Sequence, residues 1–102
     1  MDIKYKVNGN NLFVYLYGDL DEFSALSAKK LLDDLIDDHL NTGKVIFDLS
    51  NLTFMDSTGI GMIIGRYKKL KKFNIPTYLT GAKITIEKII ELSGLYSIMP
   101  KY

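Results

Sequence analysis

The sequence predicts an α/β domain, a mixed β-sheet with helices packed against it in the order β-β-α-β-α-β-α. Three observations carry this reading. Residues up to Asp21 alternate apolar and polar side chains at the period of strands, three later segments space theirs at the period of a helix, and short apolar runs separate those segments. A chain of 102 residues fits one domain enclosing a single core.

"DIKYKV" alternates as a half-buried strand does, "NGNN" follows as a turn, and "LFVYLYGDLD" is a second strand, so the chain opens with a hairpin. From Phe23 the period changes. Ala25, Leu26, Ala28, Leu31, Leu32, Leu35, Ile36 and Leu40 recur at helical spacing, with Lys29, Lys30, Asp33, Asp34, Asp37 and Asp38 on the opposite face. Gly43 is placed to end that helix with a left-handed cap. "KVIFDLS" is a strand covered on both faces. Leu52, Phe54 and Met55 read as apolar anchors of a rigid loop, and Ile60, Ile63, Ile64, Tyr67 and Leu70 mark a second helix as far as "KKLKK". "IPTYLT" is a strand with Pro76 at its start or on an edge. "ITIEKIIEL" is a third helix with Gly94 as its cap.

Composition narrows the function classes. With 13 basic and 12 acidic residues the net charge is +1, so no strong overall field directs the chain to nucleic acid or anionic lipid. There is no cysteine, which removes disulfides, thiolate metal ligands and thiol nucleophiles. No segment approaches the ~20 apolar residues of a membrane span, and the N-terminus lacks a signal-like apolar core, so a cytoplasmic location is expected.

The segment "FMDSTGIGMIIG", Phe54 to Gly65, concentrates glycine at a helix start. A phosphate cradle is one reason for such glycines, but the spacing fits neither G-x-G-x-x-G, whose third glycine would fall at Ile64, nor a P-loop, since Gly65 is followed by Arg66 and Tyr67. A cap formed by Asp56 or Ser57 is the plainer reading. It leaves Gly59, Gly61 and Gly65 to admit the backbone of a partner or of a neighbouring element.

Serine-triad hydrolysis is not expected. The single histidine, His39, is read as a surface or packing residue, and "DST" does not form a G-x-S-x-G elbow. Asp19, Asp21 and Glu22 are read as solvated acids near a helix start rather than a metal site. The cations of "RYKKLKK" suit a helix C-terminus, and the acidic helix lying beside them would offset their charge.

"DLSNLTFMDSTGIGMIIGRYKKLKK", Asp48 to Lys72, resembles the signature of anti-sigma-factor antagonists in the STAS domain superfamily, and "GDLD" and "LSGL" fall where that family has similar motifs. Within it the "GRYK" ending is most similar to the sporulation antagonists of anti-sigma F factor. The resemblance implies a STAS-like fold and a non-enzymatic partner switch without cofactor or metal. Ser57 matches the family's phosphorylated serine. The implied partners are an anti-sigma factor that is also the serine kinase, and a serine phosphatase that resets the switch, with no direct nucleic acid and no membrane. Unphosphorylated protein would bind the anti-sigma factor and free the sigma factor. The implied contact residues are Asp21, Asp56, Ser57, Thr58, Gly59, Ile60 and Gly61. A nucleotide-binding STAS domain, or a STAS scaffold of a stress-type pathway, is the alternative. Family members usually continue into a further helix, so residues 1–102 are expected to form a single STAS domain without it. Shortening of the chain there would expose an apolar face to self-association.

Overall fold

The computed structural model describes residues 1–102. Strands β1 (Asp2–Asn8) and β2 (Asn11–Leu20) form an antiparallel hairpin through Gly9, whose φ of 62° suits the turn. Helix α1 (Ala25–Asp37) crosses to β3 (Lys44–Asp48), which lies parallel to the first half of β2. Strand β4 (Leu52–Met55) then runs parallel to the far end of β2. Helix α2 (Ser57–Lys72), strand β5 (Thr77–Thr80), helix α3 (Ile84–Ser93) and a 3-10 turn (Leu95–Ser97) complete the chain. The sheet order is β1-β2-β3-β5, with β4 continuing beside β2 where β3 leaves it.

The predicted mixed sheet and three helices are present, with β4 as an additional strand. The segment expected as a loop pairs with Gly18–Leu20 across a register shift between Gly18 and Asp19. Leu52 and Met55 do anchor it in the core, but Phe54 is 48% exposed. Strict alternation would set Leu52 and Phe54 on one face; across the register shift β4 departs from it, burying Leu52 and Met55 and exposing Thr53 and Phe54 between them.

A cluster of 23 buried residues joins Leu12, Val14 and Leu16 of β2, Val45 and Phe47 of β3 and Leu79 of β5 to residues from all three helices. Burying side chains of this size stabilises by roughly 1.5–3 kcal/mol each before entropy is counted. On α1 the buried stripe is Ala25, Ala28, Leu32, Leu35 and Ile36. Leu26, Leu31 and Leu40, expected with them, are 81%, 52% and 37% exposed. Leu26 sits about 100° round the helix from Ala25, and Leu40 lies beyond the last turn.

Gly43 is not left-handed, since α1 ends in right-handed backbone at Asp38. It lies against the β1–β2 turn instead, its N–H donating to the Asn10 carbonyl at 2.7 Å, and a Cβ there would need the flexible amide end of Asn10 to swing aside. Gly94 does cap α3 at φ 74°. His39 is a packing residue, its ring edge-on to Tyr5 at 5.1 Å and Nδ1 2.7 Å from the carbonyl of Leu35.

The acidic face of α1 lies against the basic face of α2. Lys69 Nζ stands 2.9 Å from Asp37 Oδ1 and 3.6 Å from Asp33 Oδ1, and Arg66 Nε stands 2.9 Å from that same Asp33 oxygen. The Arg66 contact is an ion pair by distance, but the N–H is not directed at the oxygen, so neither atom gains a hydrogen bond. Arg66 is nevertheless buried.

Candidate functional site

Two helix starts meet at the end of the sheet. Asp56 is the N-cap of α2, with Oδ1 accepting from the backbone N–H of Gly59 at 2.9 Å. Its Oδ2 accepts from the backbone N–H of Glu22 at 3.2 Å, and its own N–H donates to the Leu20 carbonyl at 3.3 Å. One carboxylate thus caps α2 and ties the segment before α1 to it.

Asp21 organises that segment. Its Oδ1 accepts from the N–H groups of Phe23 and Ser24 at 3.0 Å each, while Ser24 Oγ accepts from the N–H of Asp21 at 3.0 Å. These reciprocal bonds close the turn Asp21–Ser24 that leads into α1, whose N-cap Ser24 makes no side-chain cap bond of its own. Asp19 accepts from Thr53 Oγ1 at 2.6 Å, holding the register-shifted end of β2 to β4. The acids expected to be merely solvated are therefore structural: Asp19 and Asp21 receive hydrogen bonds. No group of three or more potential metal ligands converges anywhere in the fold.

Since Asp56 forms the cap, the hydroxyl of Ser57 is left free. Ser57 and Thr58 are the first two residues of α2, exposed, and engaged in no side-chain hydrogen bond around the site. Their backbone N–H groups lack partners too, because the helical bonds begin with the N–H of Ile60 donating to the carbonyl of Asp56 at 3.0 Å. Partial positive charge therefore sits beside an exposed hydroxyl.

The glycines divide into two kinds. A Cβ on Gly59 would lie 2.3 Å from the Leu20 carbonyl oxygen, so this glycine lets α2 approach the end of β2. Gly61 and Gly65 would meet nothing within 4 Å. They line a groove of about 500 Å³ between α1 and α2, together with Leu26, Thr58, Met62 and Arg66. Phe23 at 87% and Leu26 at 81% exposed stand at the start of α1. Neither is among the contact residues that the sequence implies: Phe23 lies outside the helical stripe, and Leu26 falls at a spacing that the stripe permits.

The structure thus places Asp56, Ser57, Thr58, Gly59, Ile60 and Gly61 on the first turns of α2, with Ile60 half-buried and Gly59 buried. Asp21 is held in the adjoining segment through Glu22 and Asp56. The arrangement is that of a small α/β domain with an exposed hydroxyl at a helix start.

The STAS domain profile matches residues 2–102, and the chain belongs to that family. It is similar to an anti-sigma F factor antagonist of Paenibacillus polymyxa, 32% identical over 91 residues, covering 89% of this chain and 77% of that protein. It is also similar to an anti-sigma-B factor antagonist of Staphylococcus aureus, 29% identical over 82 residues, covering 80% of this chain and 74% of the relative. The fold superimposes on the Bacillus cell-fate determinant SpoIIAA in its phosphorylated form with a TM-score of 0.71 at 24% identity, covering 99% and 91% of the two chains. No helix is long and apolar enough to cross a membrane.

Proposed function

We propose that this chain is an anti-sigma-factor antagonist whose binding is switched by phosphorylation of Ser57. The observation that carries the reading is the division of labour between Asp56 and Ser57. Asp56 holds the helix cap, so the Ser57 hydroxyl is exposed and can be modified without dismantling the helix start. The similarity to antagonists of anti-sigma F and anti-sigma-B factors supports an anti-sigma factor as the partner. In the proposed cycle the unphosphorylated surface binds an anti-sigma factor that is also a serine kinase, the sigma factor is released, and a serine phosphatase restores the bound form.

A phosphate on Ser57 would bring about −1.5 to −2 charge at neutral pH. The unpaired N–H groups of Ser57 and Thr58 and the helix dipole accommodate that charge, so the fold persists. Glu22 and Asp56 add like charge nearby, so an acidic partner surface is repelled. The switch therefore acts on the interface and not on the domain.

The test is incubation with candidate anti-sigma kinases and ATP, followed by mass mapping. Phosphate at Ser57, with little change in the thermal melt and a loss of partner binding, is expected. Ser57→Ala should bind constitutively and Ser57→Asp poorly; equal binding by both variants would count against the switch. The similarity to the Staphylococcus anti-sigma-B factor antagonist supports an anti-sigma-B-type factor as the second partner for the same chemistry. Measured affinity for each class of anti-sigma factor separates the two.

A further inference from the structure

The three helices contribute to one core, built on the sheet face that carries Leu12, Val14 and Leu16. The opposite face has no helix, and its composition is unusual. Strand alternation and register place Phe13, Tyr15 and Tyr17 of β2 there in a row, at a spacing of about 6.8 Å along the strand. Lys4 and Lys6 lie opposite Tyr15 and Phe13 on β1. Lys44 and Ile46 continue the face on β3, and Tyr78 lies opposite Ile46 on β5. Tyr102 packs edge-on against Phe13 and Tyr78, with centroids 5.8 Å from each, and Ile46 between those two strand positions is fully buried.

Cations stand over this floor. Lys4 Nζ is 5.3 Å from the Tyr17 ring centroid, and Lys44 Nζ is 5.7 Å from that of Tyr78 and 5.3 Å from that of Tyr102. Lys4, Lys6 and Lys44 form none of the ion pairs in the fold, which involve other lysines and Arg66. Three acids share the face: Asp2 opposite Tyr17, Asp19 beyond Tyr17 with its Oδ1 taken by the Thr53 hydroxyl, and Asp48, whose Oδ1 is already taken by the N–H and hydroxyl of Ser50. The chain's balanced total charge conceals this separation, because Asp33, Asp34 and Asp37 all lie on α1 and pair with cations of the helical layer.

We infer that the helix-free face of the sheet is a binding platform for single-stranded nucleic acid, with the Phe13–Tyr15–Tyr17 row stacking bases and Lys4, Lys6 and Lys44 meeting phosphates. Aromatic rings on a sheet, flanked by unpaired cations, supply the stacking and the electrostatics that such ligands require. A membrane surface would demand protruding apolar side chains, but the most exposed ones, Phe23, Leu26, Ile84 and Leu92, belong to α1, α3 and the turn before α1. The inference is independent of the Ser57 switch.

Fluorescence anisotropy with a labelled oligouridine of about 12 nucleotides tests it, at salt of about 50 mM where phosphate contacts are strongest. A Kd on the order of 10 μM is expected, with a log–log salt slope of about −2 from three lysines. Tyr15→Ala should weaken binding on the order of tenfold while Tyr15→Phe retains it. The double variant Lys4→Gln/Lys6→Gln, at exposed positions, should flatten the slope with an unchanged melt. Absence of binding, equal binding of a duplex, or indifference to Tyr15→Ala in a folded variant overturns the assignment. So does preferential binding of polyglutamate or of phosphatidylserine vesicles, or a monomer–dimer equilibrium abolished by the lysine variant.

Discussion

The backbone N–H of Glu22 donates to Asp56 Oδ2 at 3.2 Å, joining the entry of α1 to the cap of α2 across 34 residues of chain. Because Asp56 Oδ1 also accepts from Gly59, one side chain sets both the start of α2 and the position of the Asp21 segment beside it. Asp56→Ala should therefore cost more than an ordinary cap, about 1–2 kcal/mol. For a domain of this size that is a fall in Tm of about 5–10 °C. Hydrogen exchange should rise at Gly59 and at Glu22 together; a change at Gly59 alone would separate the two helix starts.

The three glycines of α2 should respond in opposite ways to alanine. Gly59→Ala drives a Cβ to 2.3 Å from the backbone oxygen of Leu20, which cannot rotate away, so a loss of about 1–3 kcal/mol is expected from denaturant titration. Gly61→Ala and Gly65→Ala meet open space and should gain up to about 1 kcal/mol from helix propensity. The same two changes add methyl groups to the groove between α1 and α2, so tighter folding should accompany weaker anti-sigma factor binding. Unaltered affinity in both would remove the groove from the interface.

Asp33 lies between Arg66 and Lys69, and Arg66 is 6% exposed. Removing the carboxylate leaves a buried guanidinium without a counter-charge, so Asp33→Ala should destabilise by about 2 kcal/mol or more, scaled down from a fully buried pair by the partial exposure of Asp33. Adding Arg66→Met should recover part of that loss, since the long apolar stem still fills the site. Urea melts of the two singles and the double variant measure the coupling.

The sequence exposes most of the fold through its periods: the stripes of α1 and α2, the buried run Val45–Phe47 and the Gly94 cap are each local in origin. Strand β4 is not local. Its four residues pair with β2 only after the register shift at Gly18, a relation that no short window contains. The roles of Asp21 and Asp56 divide in the same way. The turn that Asp21 closes before α1 and the cap that Asp56 forms on α2 follow from their own neighbourhoods, whereas the Asp56–Glu22 bond depends on how α1 and α2 are packed. Leu26 shows the reverse limit, an apolar residue at permissible spacing that turns outward because Ala25 and Ala28 already fill the inward arc.

Glu87 predicts a specific pH dependence. Its carboxylate pairs with Lys101 and accepts from the Tyr96 hydroxyl at 2.7 Å, and these bonds, that of Lys101 first, hold its pKa below the usual value of 4.5. A depressed carboxylate contributes stability that is present above its unfolded pKa and lost as pH falls through the folded one. Lys101 is raised, first by its bond to Glu87, and Tyr96 is raised, first by burial and then by Glu87. Their contributions are present below the unfolded values and disappear as pH rises through the folded ones. Stability should be level near neutrality and fall at both ends. Glu87→Gln should flatten the acid limb below about pH 4.5, and an unchanged limb would deny Glu87 this role.

Phe23 and Leu26 separate stability from recognition most cleanly. Both are large, more than four-fifths exposed, and set beside the helix start that carries Ser57. Surface substitutions that touch no core are usually worth within about 0.5 kcal/mol, so Phe23→Ser and Leu26→Ser should leave the melt almost unchanged. Apolar anchors buried at the centre of an interface each cost roughly 2 kcal/mol or more when truncated, so affinity for the anti-sigma factor should fall by about tenfold or more. Titration calorimetry on the unphosphorylated protein measures this directly. Combining both with Ser57→Asp tests whether they share one surface: a common interface makes the losses less than additive, while full additivity would place the apolar pair and Ser57 in separate contacts.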